Sequence, residues 1–131
     1  MKQIELQISY NQFYIADSII EPMAPEEWTD EDIQNHHKTL DNITALKTEN
    51  DDSILLSIYG VDEEFDLTNV EMLFDVNTKI IVPNCKIGVY QWPFDIITSI
   101  SLENNQCNIR YIGFRNKESI GNQIKYAVLL K

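Results

Sequence analysis

The chain opens on a strict alternation, with Ile4, Leu6 and Ile8 on one side and Glu5 and Gln7 on the other. A period of two marks a half-buried strand. Tyr10, Phe13 and Ile15 carry the apolar signal past a bulge expected at Ser9–Asn11, as one kinked strand or two short ones. Pro22 and Pro25 then interrupt regular structure, so residues 16–27 are expected to form a loop. From residue 42 onward the pattern belongs to strands again. Ile43–Lys47 and Ser53–Tyr59 flank a polar turn at residues 48–52, and Ser53–Tyr59 is apolar enough for a central strand. Gly60 to Glu64 reads as a turn, after which Val70, Met72, Phe74 and Val76 alternate and Ile80–Val82 ends at Pro83. Ile87–Gln91, Ile96–Leu102, Cys107–Phe114 and Gln123–Leu130 complete the series, joined by turns at Glu103–Gln106 and Arg115–Asn122.

A single helix interrupts this pattern. Thr29 is a good N-cap and Asp32 stands at N3, where an acid answers the cap; Trp28 and Ile33 have the spacing of a hydrophobic staple. Asp30, Glu31 and Asp32 put negative charge on the positive end of the helix dipole. Ile33, His37 and Leu40 share a face on a helical wheel. The expected fold is therefore mostly β: an antiparallel β-sandwich of about eight strands with one short helix near residues 30–40. At 131 residues and 44% hydrophobic, the chain is expected to be a single domain spanning 1–131.

Charge changes the picture. Twenty-one acids against ten bases give a net −11, unevenly distributed. Residues 1–75 carry 18 acids and 3 bases, a net −15, whereas residues 76–131 carry 3 acids and 7 bases, a net +4. Such a surface repels nucleic acid and anionic lipid, and favours cations or basic proteins as partners. No apolar run approaches the roughly 18 residues of a membrane span, so no membrane insertion is expected. The alternating N-terminus does not resemble a signal peptide, and Cys85 and Cys107 are too few for a disulfide scaffold. A cytoplasmic location is the expectation.

The signatures of catalysis are missing. The four glycines are isolated, so no glycine-rich phosphate loop exists, and there is no G-x-S-x-G elbow or H-E-x-x-H pair. His36 and His37 are adjacent on the expected helix, about 100° apart, and do not converge on one metal. No enzyme activity, metal or cofactor is expected. The carboxylate clusters carry more information. Six acids fall between Glu21 and Asp32 (Glu21, Glu26, Glu27, Asp30, Glu31 and Asp32), and Asp51, Asp52 and Asp62, Glu63, Glu64, Asp66 mark two further turns. One reading is a calcium-dependent β-sandwich module, although no cluster has the D-x-[DN]-x-[DN]-G spacing. The other is a docking face for a basic protein, with Trp28 as an aromatic anchor inside the densest run. Structural roles compete with both: Trp28 as a staple packed on the sheet, and Gln91-Trp92-Pro93-Phe94 as a strand end with core aromatics.

Two stretches, Leu6-Gln7-Ile8-Ser9-Tyr10-Asn11-Gln12-Phe13-Tyr14-Ile15 and Trp28-Thr29-Asp30-Glu31-Asp32-Ile33, resemble the competence protein J family. Its members open with an I-S-Y-x-Q-F strand followed by a W-T-[DE]-E helix start. The resemblance covers roughly the first 60 residues, and the family pattern has a glycine where this chain has His36, His37 or Lys38. It implies a small inhibitor of the nuclease that serves DNA uptake, with relatives resembling immunity proteins encoded beside toxins. A nuclease draws in a phosphate backbone, so its cleft is positive, and an acidic domain plugs it without chemistry. The expected function is thus an acidic, immunity-type inhibitor of a nuclease or nuclease toxin. The expected partner-binding residues are Glu26, Glu27, Trp28, Asp30, Glu31, Asp51, Asp52, Asp62, Glu63, Glu64 and Asp66. Ser9, Tyr10 and Gln12 match the family motif and are also explained by a bulged strand.

Overall fold

The computed structural model describes residues 1–19, 23–117 and 123–131; Glu21, Pro22 and the Gly121 end of the turn at 115–122 lie outside the described residues. In chain order the elements are β1 (Lys2–Gln7), β2 (Gln12–Asp17), α1 (Asp30–Gln34), β3 (His37–Leu40), β4 (Ile43–Lys47), β5 (Ser53–Tyr59), β6 (Val70–Ile81), β7 (Lys86–Gln91), β8 (Asp95–Ser101), β9 (Gln106–Asn116) and β10 (Lys125–Leu130). The strands form two five-stranded sheets, β1-β5-β10-β9-β6 and β3-β4-β2-β7-β8.

Alternation along the strands decides what lies between the sheets. Leu6, Phe13, Ile15, Leu56, Ile80, Ile109, Tyr111, Tyr126 and Val128 are all buried in the central core. Their neighbours point outward: Tyr14, Ala16 and Tyr90 from the second sheet, Ile112, Phe114, Ala127 and Leu129 from the first. An outward apolar row needs a cover. Over the second sheet the cover is the chain after β2, which packs Ala24 and Trp28 on Tyr14 and Tyr90 together with Phe94. Over the first it is the β5–β6 connection, whose Phe65 lies 5.0 Å from the Phe114 ring and 5.5 Å from Tyr59. The sheet edges also meet. Thr39 of β3 and Thr78 of β6 share a hydrogen bond at 2.7 Å, and Lys2 of β1 donates to Thr98 of β8.

The β-sandwich matches the sequence pattern, and four local expectations are revised. Ten strands stand where about eight were expected, and β10 runs parallel to β5, so the first sheet is mixed. Val70–Val76 and the stretch expected at Ile80–Val82 join in one strand, β6, which ends at Ile81 and is bulged between Met72 and Phe74. The expected bulge at Ser9–Asn11 is a tight turn that transfers the chain from one sheet to the other. Helix α1 ends at Gln34 rather than near 40, and His37–Leu40 pairs with β4 instead. The reason is burial: α1 buries none of its residues, and Ile33 stays 46% exposed, so the helical face at Ile33, His37 and Leu40 has nothing to pack against. His36, at φ 61°, stops the helix in the left-handed position that usually takes glycine.

Candidate functional site

One end of the sandwich collects the turn at residues 9–12, the 48–52 turn, the Trp92 hairpin and α1. Strand directions force this: β2 and β5 begin there, and β4 and β7 finish there. Ser9 and Gln12 pair across the turn, whose central residues Tyr10 and Asn11 both have positive φ, 60° and 53°. Such a mirror-image turn matches the twist of the flanking strands but is strained for tyrosine. Asn11 joins this turn to the next: its C=O accepts from the Thr48 N–H at 2.8 Å, and its N–H donates to Asp51 Oδ1 at 2.9 Å.

Core tyrosines hold the 48–52 turn from below. Tyr126 accepts the Glu49 N–H at 2.8 Å and donates to Asn50 Oδ1 at 3.0 Å. Tyr111 donates to the Lys47 C=O at 2.7 Å. Burial pushes both phenols above their ordinary pKa, so both remain donors. Asp51 and Asp52 are thereby presented outward and exposed.

Helix α1 is anchored by the expected capping box: Thr29 accepts the Asp32 N–H at 3.1 Å, and Asp32 accepts the Thr29 N–H at 2.9 Å. That backbone bond, with Lys38 at 3.1 Å, holds the Asp32 carboxyl below its usual range. His36 stacks on Phe74 at 4.0 Å and bonds Glu49 at 3.1 Å. Burial would raise the Glu49 carboxyl, but Lys47 at 3.3 Å and His36 outweigh it, so it ends lowered. His37 bonds the Thr39 hydroxyl at 2.9 Å, and burial keeps its imidazole pKa down.

The expected site residues separate into two groups. Glu26, Glu27, Trp28, Asp30, Glu31, Asp51 and Asp52 lie at the Tyr10 end. Trp28 is half-buried against the second sheet, while the acids are exposed. Among the described residues, no lysine, arginine or histidine forms an ion pair with these six carboxylates. Asp62, Glu63, Glu64 and Asp66 are not with them. They follow the other end of the seven-residue β5, a separation of about 20 Å along that strand. They lie on the connection that covers the first sheet. Glu63 binds the N-terminal ammonium and the Gly60 N–H, and Asp66 accepts from Thr68.

Aromatic residues that the sequence left undecided complete the Tyr10 end. Tyr10 is 70% exposed and Trp92 41%, and their rings meet edge-on with centroids 5.7 Å apart. Trp92 continues to Phe94 at 5.8 Å, and Phe94 to Tyr14 at 4.7 Å. Beside Tyr10 is a cavity of about 390 Å³ walled by Gln12, Pro25, Trp28 and Ile33, with Glu26 and Lys47 on its border. The available sequence signal was the pair of turn motifs carrying Tyr10 and Trp92; their meeting in space was not encoded locally.

Among the described residues, no three His, Cys, Asp or Glu side chains group as metal ligands. Cys107 is buried and its thiol is pushed up to about 12, which makes it a poor nucleophile.

No family model matches this sequence, and no curated protein matches it. Among solved structures, the crystal structure of ComJ, inhibitor of the DNA degrading activity of NucA, from Bacillus subtilis, superposes with a TM-score of 0.81. The two chains are 18% identical, and the match covers 99% of this chain and 94% of that one. At that identity the likeness establishes a common fold from end to end.

Proposed function

We propose that this protein is an acidic, non-enzymatic inhibitor that binds a nuclease and occludes its basic nucleic-acid cleft, working in the cytoplasm. The observation that carries the reading is the whole-chain likeness to an inhibitor of a DNA-degrading nuclease. The uncompensated carboxylates at one end support it. Glu26, Glu27, Asp30, Glu31, Asp51 and Asp52 offer a negative field to a cleft built for phosphates, and Trp28, Tyr10 and Trp92 offer aromatic anchors beside them. The proposed docking surface is this end. Asp62, Glu63, Glu64 and Asp66 add to the long-range field without lying in the footprint. The free thiols of Cys85 and Cys107 suit a reducing compartment.

The test is inhibition of purified NucA nuclease on double-stranded DNA, titrated with the chain. Cleavage is expected to stop near one equivalent. Association is expected to slow steeply with salt, because steering between opposite charges is screened over about 8–10 Å at physiological ionic strength. DNA cleavage that persists at large excess, for NucA and for a nuclease encoded beside this protein, refutes the reading.

A further inference from the structure

The cavity beside Tyr10 has a character that the acidic field alone does not explain. Its lining is largely apolar, with Tyr10, Pro25, Trp28 and Ile33, while its border takes in Asn11, Gln12 and the acidic Glu26. The one cation on that border, Lys47, is already paired with Glu49 at 3.3 Å. Glu27, Asp30 and Glu31 flank the same walls in the chain; Lys38 reaches the Glu27 backbone C=O at 3.5 Å, but among the described residues no base forms an ion pair with any of these three carboxylates.

The backbone beside the cavity marks the spot further. Tyr10 holds a large ring in solvent from a left-handed backbone position that asparagine or glycine would occupy without strain. Its ring meets Trp92 edge-on.

We propose that this cavity is the anchor point of the interface and takes one large aromatic side chain of the nuclease, set between basic residues that meet Glu26, Glu27, Asp30 and Glu31. This rests on the inhibitor reading above. An aromatic knob satisfies the ring walls of Tyr10 and Trp28, which favour edge-on neighbours. Flanking cations satisfy the carboxylates that the chain itself leaves without partners. A second copy of this chain is a poor occupant, since at net −11 it brings like charge to the same rim.

The experiment has two arms. In the first, the full chain is titrated with acetyl-Arg-Tyr-Arg-amide, acetyl-Arg-Ala-Arg-amide and acetyl-Glu-Tyr-Glu-amide while backbone amide and indole resonances are followed by NMR. Arg-Tyr-Arg is expected to shift Tyr10, Trp28 and Ile33 saturably, at least about tenfold more tightly than either control. Equal binding of all three peptides, or shifts that miss these residues, overturns the proposal. In the second arm, Tyr10→Asn and Ile33→Ser, both at exposed positions, are assayed against NucA. Each is expected to weaken inhibition by roughly thirtyfold or more without lowering the melting temperature by more than a few degrees. Wild-type potency in both variants overturns the anchor and leaves the inhibitor reading standing. Selective Arg-Tyr-Arg binding by a chain that leaves NucA fully active supports the anchor and removes the nuclease reading alone.

Discussion

At the scale of single residues, this protein places large side chains where backbone geometry prefers small ones. His36 terminates α1 at φ 61°, and it stacks on Phe74 at 4.0 Å and bonds Glu49 at 3.1 Å. Replacement separates these contributions. His36→Ala loses the ring and keeps the strain, so it should lower stability by about 1–2 kcal/mol. His36→Gly loses the same ring but relieves the backbone and is expected to be about 1 kcal/mol more stable than His36→Ala. Thermal unfolding of the two variants checks the order. A second residue-scale case is Asp75, which receives two bonds from Arg110, at 2.9 and 2.6 Å, and is held below its ordinary 3.8 by that guanidinium. Its folded pKa is depressed, so its stabilisation is present above the unfolded value and is lost as pH falls through the folded one. The gap in melting temperature between wild type and Asp75→Asn should therefore be open near neutral pH and close as the pH falls below the ordinary carboxylate range. For a pair this exposed it represents at most about 1 kcal/mol.

At the scale of elements, local patterns were readable where one strand face is buried and unreadable where a partner decides. Thr29 and Asp32 announced the start of α1, and both bonds of the capping box are present. The end of that helix was not legible, because periods of 3.6 and two are both compatible with Ile33, His37 and Leu40. The hydrogen bonds from β4 decided the matter. The join of Val70–Val76 to Ile80–Ile81 was hidden likewise. The long β6 exists because β9 pairs with it throughout, around the bulge that turns Phe74 inward. Phe74 fits only because β9 has a glycine opposite it. A Cβ on Gly113 would lie 2.1–2.7 Å from the Phe74 ring. Gly113→Ala is expected to destabilise the fold by about 1–3 kcal/mol through overpacking. Adding Phe74→Leu should recover part of that loss, a coupling readable in a double-mutant cycle of chemical denaturation.

Across the whole molecule, the clustered carboxylates are divided between ends, with Glu26, Glu27, Asp30, Glu31, Asp51 and Asp52 at one and Asp62, Glu63, Glu64 and Asp66 at the other. This division yields a prediction that bulk acidity would not. Converting Glu26, Glu27, Asp30 and Glu31 to amides should slow association with a basic nuclease by about tenfold or more at low salt. The same change at Asp62, Glu63, Glu64 and Asp66 should cost only about twofold to threefold, through net charge. Stopped-flow association at two salt concentrations separates the two. Equal slowing by both sets would place the docking surface elsewhere.

The sequence by itself determined what depends on short-range order. Alternation at Ile4–Ile8 and Tyr126–Leu130 specified strands and their buried faces, Thr29 specified the helix start, and counting specified the acidity. The I-S-Y-x-Q-F resemblance marked Tyr10 without saying whether its ring was buried. Only the tertiary structure decided which strands are neighbours, that β5 and β10 run parallel, and that Tyr10 meets Trp92 across 82 positions of chain. It also decided that Glu26–Glu31 and Asp62–Asp66 cover opposite sheets. The physical reason is that strand pairing and patch formation are set by backbone hydrogen bonds and burial between distant segments. No local spacing encodes them, because the same alternation is satisfied by many orders of strands.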